Sequence, residues 1–268
     1  MYDIEVEKDH NFFANGCLVH NCMIRRLKSD VLKDLPDKIR QVVPVAITDW
    51  KEYELARDDF VNWLRARNPD KAESSLRAAR LTQIGHLLRL CARLKLKAVV
   101  EWCNDFLEQS GEKLVVAAVH RKMIEALDRR IGGGKHVIID GQVTGRLRKA
   151  AVDQFQRDPG TRLLIGNIKA AGVGITLTAA SNVAFAELTW SPGAVVQMED
   201  RCHRIGAKDT VWAHYLVAHG TIEERLALIL QQKQAVIRAT LDGAAVEDDL
   251  TVFDALIAEL TKPGLLDQ

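Results

Sequence analysis

This 268-residue chain has no long hydrophobic run, no marked excess of either charge and no closely paired cysteines. Its apolar stretches fall short of the ~18 residues needed to cross a bilayer. The N-terminus, with Asp3, Glu5 and Glu7, lacks the basic and apolar regions of a secretory signal. No membrane partner is expected, and a cytoplasmic location is predicted, nucleoid-associated for a bacterial or phage protein. The five cysteines, Cys17, Cys22, Cys91, Cys103 and Cys202, form no CxxC pair, which argues against a disulfide framework and a zinc site. Free thiols and no bound metal are therefore expected. Internal repeats and low-complexity segments are also absent.

The composition, 47% hydrophobic residues with a formal net charge of +1, suits a globular protein with a substantial core. No global charge announces nucleic acid. The distribution is less even: residues 77–97 carry Arg77, Arg80, Arg89, Arg93, Lys95 and Lys97 with no acid, whereas the segment after Gly243 has Glu247, Asp248, Asp249, Asp254, Glu259 and Asp267 against Lys262 alone. Two faces of opposite sign are implied.

Residues 2–20 alternate as strands do, and Asn15-Gly16 between "NFFA" and "CLVH" is a strong hairpin signal. After Cys22 the texture changes: a short basic helix is expected before Pro36, then a strand in "IRQVVPVAI" and helices over 50–67 and 74–94. From residue 97 onward, apolar strands "KLVVAAV", "HVIID", "RLLIG", "NVAFAEL" and "VWAHYLVA" alternate with helical segments. That order predicts an α/β fold, a parallel sheet with helices on both faces. The helix opening at Arg121 places Ile124, Leu127 and Ile131 on one face, and the next, capped by Thr144, is expected to bury Leu147, Ala151 and Phe155.

"GGGKH" at 132–136 resembles a phosphate loop only superficially. Such a loop needs a glycine four residues before the Gly-Lys pair and a Ser or Thr after it, but Arg129 and His136 stand there. A glycine run ending a helix is the better reading. "VEDD" in the tail follows no buried strand and makes a poor magnesium motif. The groups that would hold ATP with magnesium are not in this sequence.

The most informative stretch is "WSPGAVVQMEDRCHRIGAKDTV". Ser191 suits an N-cap, Pro192 the first helical position and Gly206 a stop. At 100° per residue Val195, Met198, Cys202 and Ile205 share one face, and Gln197, Asp200, Arg201 and Arg204 another. Two arginines a turn apart suit a transferring phosphoryl group. An arginine finger is worth 10³ to 10⁵ in rate, roughly 4–7 kcal/mol; an Asp200–Arg204 surface pair would give ~0.5 kcal/mol. The helix alone leaves both readings open.

The wider stretch "LLIGNIKAAGVGITLTAASNVAFAELTWSPGAVVQMEDRCHRIG" resembles motifs V and VI of the SNF2 superfamily of ATP-dependent DNA translocases, in the second RecA-like lobe. "MIRRLKSDVLKDLPDKI" resembles the lead-in to that lobe, and "HYLVAHGTIEERLALILQQKQAVI" its closing strand and helix. "FAELTWSPG" is nearer the annealing-helicase branch. The resemblance covers residues 23–241. It implies arginine fingers at Arg201 and Arg204, ATP-cleft positions at Gln197, Asp200, Gly172 and Gly174, and a coupling loop at 172–178 with Thr176 and Thr178 toward DNA. Ala207 stands where the family usually has Gln, and Ile175-Thr176 where Leu-Asn is common. ATP with Mg2+ would be held mainly by a first lobe that this sequence does not include. The partner expected is double-stranded or branched DNA, met by Arg89, Arg93, Lys95 and Lys97 and by His120, Arg121 and Lys122 of "AVHRK". Trp50, Trp63, Trp102, Trp190 and Trp212 are expected in the core or at a lobe interface, because duplex DNA leaves no free base faces to stack on.

"YDIEVEKDHNFFANGCLVHN" followed by Cys22 resembles the last two blocks of an intein of the Hint family. The resemblance assigns Cys22 as the thiol acceptor of an acyl chain, Asn21 as the side-chain amide that cyclises to cut the 21/22 bond, and His10 and His20 as proton carriers. An N-terminal intein half is the implied partner. The expected organisation is an intein fragment at 1–21, lead-in, strand and helical insertion at 22–96, a RecA-like lobe at 97–242 and an acidic tail at 243–268. Two further readings are a split-intein precursor whose own reaction is splicing in trans, and a DNA-binding module without hydrolysis. In the tail, residues 251–261 could form an amphipathic helix with Val252, Leu256 and Leu260 on one face, able either to dock on the lobe or to bind a partner.

Overall fold

All five apolar runs from "KLVVAAV" onward are strands, and with residues 38–45 they build one parallel sheet. The computed structural model describes residues 11–14, 17–20, 32, 34–65, 73–132, 134–239, 252 and 255–257. The chain divides into two units, Met1–Leu35 and Pro36–Gln268. In the first, β1 (Asn11–Ala14) and β2 (Cys17–His20) pair antiparallel, with Asn11 opposite His20 and Ala14 opposite Cys17. This is the register the Asn-Gly signal predicts. His10, Asn21 and Cys22 lie outside the described residues, as do residues 23–31 of the expected basic helix.

The second unit holds β3 (Lys38–Val45), β4 (Leu114–Ala118), β5 (Lys135–Ile139), β6 (Thr161–Asn167), β7 (Asn182–Phe185) and β8 (Val211–Ala218) in the order β3-β8-β7-β4-β6-β5, all pairs parallel. The strands β4 and β7 are buried at every position, which is why they read as continuous apolar runs rather than alternating ones. Among the described residues, the helices α1 (Trp50–Arg65), α2 (Glu73–Gln109), α3 (Arg121–Arg130), α4 (Gly145–Arg157), α5 (Ile168–Ala171), α6 (Pro192–Cys202) and α7 (Ile222–Ala239) cover the sheet. Strand side chains alternate between two cores. Val115, Ala117, Val183 and Phe185 join α1, α4, α6 and α7, while Leu114, Val116, Ala118 and Ala184 meet α3 and the second half of α2.

Chain direction places the site. From β4 the chain crosses to β5 on one side of the sheet, and from β7 to β8 on the other. The crevice at the C-terminal ends of β4 and β7 is thus the point where the winding reverses, the usual ligand position in open α/β sheets.

Several expectations change. The helix expected over 74–94 continues to Gln109, because Leu96, Val99, Cys103 and Leu107 extend its buried stripe. Leu147 is 73% exposed while Phe155 is fully buried: α4 packs on the edge strand β5 and on β6, and its first turn lies outside the core. Ile205 is also exposed, since α6 ends at Cys202 rather than running to Gly206. The glycine run behaves as a helix stop, with α3 ending at Arg130, Ile131 capping it and Lys135 opening β5. Of the two places expected for the tryptophans, Trp50 and Trp212 are not in the core: both are exposed large hydrophobics. Val252 and Leu256 are buried in the α6–α7 side core, so this part of the tail docks on the lobe; Leu260 lies outside the described residues.

Candidate functional site

The helix α6 is set by local chemistry. Ser191 Oγ accepts the Ala194 N–H at 3.4 Å and Pro192 occupies the first turn. Val195, Met198 and Cys202 are fully buried, which fixes the rotation of the helix and turns Arg201 toward the loop after α5. Arg201 Nε donates to the Gly172 carbonyl at 2.8 Å and Nη1 to the Ile175 carbonyl at 3.3 Å. Arg204 Nη1 reaches the Ile175 carbonyl and Thr176 Oγ1, each at 3.4 Å. The Leu177 N–H closes the contact on the Arg201 carbonyl at 2.8 Å. The two arginines and the 172–178 loop therefore meet.

A third guanidinium, missed in the sequence, joins them. Arg148 of α4 donates to the Ala170 carbonyl at 2.5 Å and to the Val173 carbonyl, and its buried Nε has no hydrogen-bond partner among the described residues. Burial, then the neighbouring Arg204 charge, lowers the Arg201 pKa; Asp200 opposes this and Arg148 adds to it. Three like charges around one loop make a place where an anion relieves repulsion. Thr178 Oγ1 and the Ala179 N–H are held by the Gln156 amide at 3.3 and 2.8 Å. Two glycines are needed here. A Cβ on Gly172 would lie 2.4 Å from the Ile168 carbonyl oxygen, and Gly174 has φ +69°, a conformation glycine adopts without strain. Gln197 is exposed, and Asp200 accepts from Lys38 Nζ at 3.0 Å.

Under α6 lies a carboxylate that the motif reading passed over. Glu199 is fully buried and accepts from Arg40 Nε at 2.7 Å and Nη2 at 2.5 Å, from Lys38 Nζ at 2.9 Å and from the Tyr215 hydroxyl at 2.5 Å. Burial pushes its pKa up, but the Arg40 hydrogen bond, the Lys38 and Arg40 charges and Tyr215 bring it below the ordinary value. This network ties α6, and so Arg201, to β3 and β8. The signal was available: Glu199 stands four residues after Val195, inside the apolar stripe.

The candidate DNA-facing residues separate into two places. Arg89, Arg93 and Lys97 of α2 and His120, Arg121 and Lys122 of α3 line one groove of about 1190 Å³, over Leu96, Val100 and Met123. The structure thus joins two basic segments that are separate in sequence. Arg93 pairs with Glu52, Arg121 Nε with Glu125 at 2.9 Å and Lys97 with Glu101 at 3.7 Å, all solvent-exposed pairs of small strength. Lys95 requires a correction. It is fully buried, its Nζ donating to the Leu216 carbonyl at 2.6 Å and to Glu223 at 2.7 Å, so its charge braces α2 against α7 and does not reach the surface. Thr176 and Thr178 belong to the arginine-held loop and do not line the groove. Nothing is described of the Arg77 side chain.

Cys91, Cys103 and Cys202 are buried free thiols, with burial first among the causes that push each pKa up to about 12. They are inert packing groups. No cluster of metal-ligating side chains occurs among the described residues, and no described helix is long and apolar enough to cross a membrane.

Residues 95–206 match the helicase conserved C-terminal domain. The chain is 38% identical over 256 residues to the DNA annealing helicase and endonuclease ZRANB3 of Homo sapiens, covering 92% of this chain and 23% of that protein. It is 36% identical over 247 residues to the SWI/SNF-related matrix-associated actin-dependent regulator of chromatin subfamily A-like protein 1 homolog of Caenorhabditis elegans, covering 84% and 34%. The chain therefore spans about a third or less of the curated relatives' length. Among solved structures, the Sulfolobus solfataricus SWI2/SNF2 ATPase core in complex with dsDNA aligns with a TM-score of 0.62 at 23% identity, over 80% of this chain and 48% of that one. The isolated C-terminal domain of a Sulfolobus solfataricus SWI2/SNF2 ATPase aligns at 0.61 and 17% identity, over 81% and 94%.

Proposed function

We propose that this chain, whose residues 95–206 match the helicase conserved C-terminal domain and which is similar to SNF2-family helicases, is the second motor lobe of an ATP-driven duplex-DNA translocase. The observation that carries the proposal is the convergence of Arg201 and Arg204 on the 172–178 loop. Both guanidiniums rest on loop carbonyls. When a first lobe brings ATP with Mg2+ to this face, the forked donors exchange carbonyl oxygens for phosphate oxygens and neutralise charge as the γ-phosphoryl departs. The same exchange frees the loop, which links nucleotide state to the grip on DNA. Gln197 and Asp200 flank the cleft. Magnesium and the remaining phosphates are assigned to the first lobe; among the described residues there is no cluster of metal-ligating side chains.

The DNA track is assigned to the α2–α3 groove, supported by its basic rim; duplex DNA as the partner is supported by a structural neighbour solved in complex with dsDNA. Backbone phosphates supply affinity without sequence preference. Reversing Arg89, Arg93 and Lys97 to Glu should weaken duplex binding by this chain about tenfold or more and flatten the salt dependence by up to about three in slope. Fluorescence anisotropy across a salt series reads both. A folded variant with unchanged affinity and slope would remove DNA from this groove.

A second reaction is proposed for the N-terminal unit: protein splicing at the 21/22 bond with His10, His20, Asn21 and Cys22 in the roles given above. It is supported by the antiparallel hairpin and by the separation of Met1–Leu35 as a unit of its own. Asn21→Ala should leave the acyl transfer to Cys22 intact and block release at the 21/22 bond, so that a branched species accumulates on mixing with an N-terminal intein half. Ligation to completion by this variant, followed by mass spectrometry, would contradict the splicing role.

A further inference from the structure

Glu187, just beyond β7, is a buried acid that neither the arginine cluster nor the groove explains. It is 4% exposed. One carboxylate oxygen accepts the N–H groups of Val119 and His120, both at 2.8 Å, and the other lies 2.7 Å from His120 Nδ1. An ionised carboxylate only accepts hydrogen bonds. The His120 proton therefore sits on Nδ1, which leaves Nε2 for a ligand. His120 and Glu187 line both the α2–α3 groove and a neighbouring cavity of about 350 Å³. Asn167, at the end of β6, donates to the Val119 carbonyl at 2.7 Å, so three central strands fix this turn at the point where the sheet reverses its winding.

A neutral ring held in this way turns a lone pair toward an approaching anion. A protonated ring offers instead an N–H donor and a full positive charge. The other charged groups lining these cavities are Arg89, Arg93, Lys97 and Glu101 of α2, Arg121, Lys122 and Arg130 of α3 and Glu223 of α7; Glu101 pairs with Lys97. Glu223 is already engaged by Lys95 Nζ and by the Ala218 N–H, so Glu187 is the acid that holds the ring.

We propose that Glu187 makes His120 a proton-linked seat for a DNA backbone phosphate. On binding, Nε2 takes one proton from solvent and donates it to a phosphate oxygen, Nδ1–H stays on Glu187, and the proton is released again when the DNA leaves. Glu187 is a positioning residue acting through His120, and the proposal rests on the reading of the groove as the DNA track.

The test measures duplex affinity of this chain at pH 6 and pH 8 at fixed ionic strength. Wild type should bind about three- to tenfold tighter at pH 6, with a salt slope larger by about one; His120→Ala should lose that increment. Glu187→Gln is the informative variant: its amide oxygen can still accept both backbone N–H groups, but its NH2 donates to Nδ1, which moves the neutral ring's proton to Nε2 and disfavours the charged ring. It should lose the pH dependence, binding no tighter at pH 6 than at pH 8, keep the thermal midpoint of the wild type, and have no further effect on the pH dependence when combined with His120→Ala. A loss from Glu187→Gln that is equal at both pH values, or that persists in the His120→Ala background, would overturn the proposal. If His120→Ala binds as wild type at both pH values while reversal of Arg89, Arg93 and Lys97 still weakens binding, the seat is wrong and the groove reading stands. If neither change matters, the groove reading itself fails.

Discussion

Arg201→Ala, in this chain joined to an SNF2-type first lobe, is expected to lower DNA-stimulated ATP turnover about 10³-fold or more with little change in KM, and Arg204→Ala should act in the same direction. A group that meets charge developing on the transferred phosphoryl is worth about 4–7 kcal/mol of barrier, and that loss falls on kcat. The difficulty is that Arg201 also braces the loop through Gly172 and Ile175. Arg148→Ala separates the two roles, because Arg148 holds the same loop from the other side through Ala170 and Val173 and is not assigned to the phosphates. If bracing were the whole story, both substitutions would cost the same. The finger role requires Arg201→Ala to exceed Arg148→Ala by at least about a factor of ten. Arg201→Lys should recover little, since a point charge does not replace a fork that spans two oxygens.

Glu199→Ala is expected to destabilise the lobe by about 3–5 kcal/mol, which for a unit of this size lowers the thermal midpoint by about 6–20 °C. It strips one buried carboxylate from Arg40, Lys38 and the Tyr215 hydroxyl together, leaving the part-buried Arg40 and the buried Tyr215 hydroxyl without this acceptor and Lys38 with Asp200. The sign of the pH dependence follows from the lowered Glu199 pKa. Its contribution is fully present above the ordinary carboxylate range and decays as pH falls through the folded-state value. Wild type should therefore lose stability on acidification more steeply than Glu199→Ala, and calorimetry between neutral and acid pH reads the difference. Equal acid limbs would show that the network carries no net stabilisation.

Much of this fold was legible because central parallel strands write themselves as apolar runs. The segments that became β4 through β8, the Ser191-Pro192 helix start and the glycine stop after α3 all follow from period, cap and breaker chemistry. Charge was harder. Lys95 follows Cys91 by four residues and Glu199 follows Val195 by four, so both stand inside apolar stripes, yet counting charge along the chain put Lys95 on the surface and passed over Glu199. Their partners, Glu223 and Arg40, are 128 and 159 residues away, a distance that no local pattern bridges. Arg148 and Glu187 escaped for the same reason, since their partners are fixed by the crossing of strands rather than by spacing. The meeting of two basic segments in one groove likewise depends on α2 running on to Gln109, beyond the end expected from sequence.

The central claim is that this lobe completes an ATP site and does not contain one. The direct measurement is ATP turnover in the presence of duplex DNA by the chain alone, by an SNF2-type first lobe alone, and by the two joined. Turnover confined to the joined protein, and lost with Arg201→Ala, is the predicted result. Hydrolysis by this chain on its own, abolished by the same substitution, would contradict it.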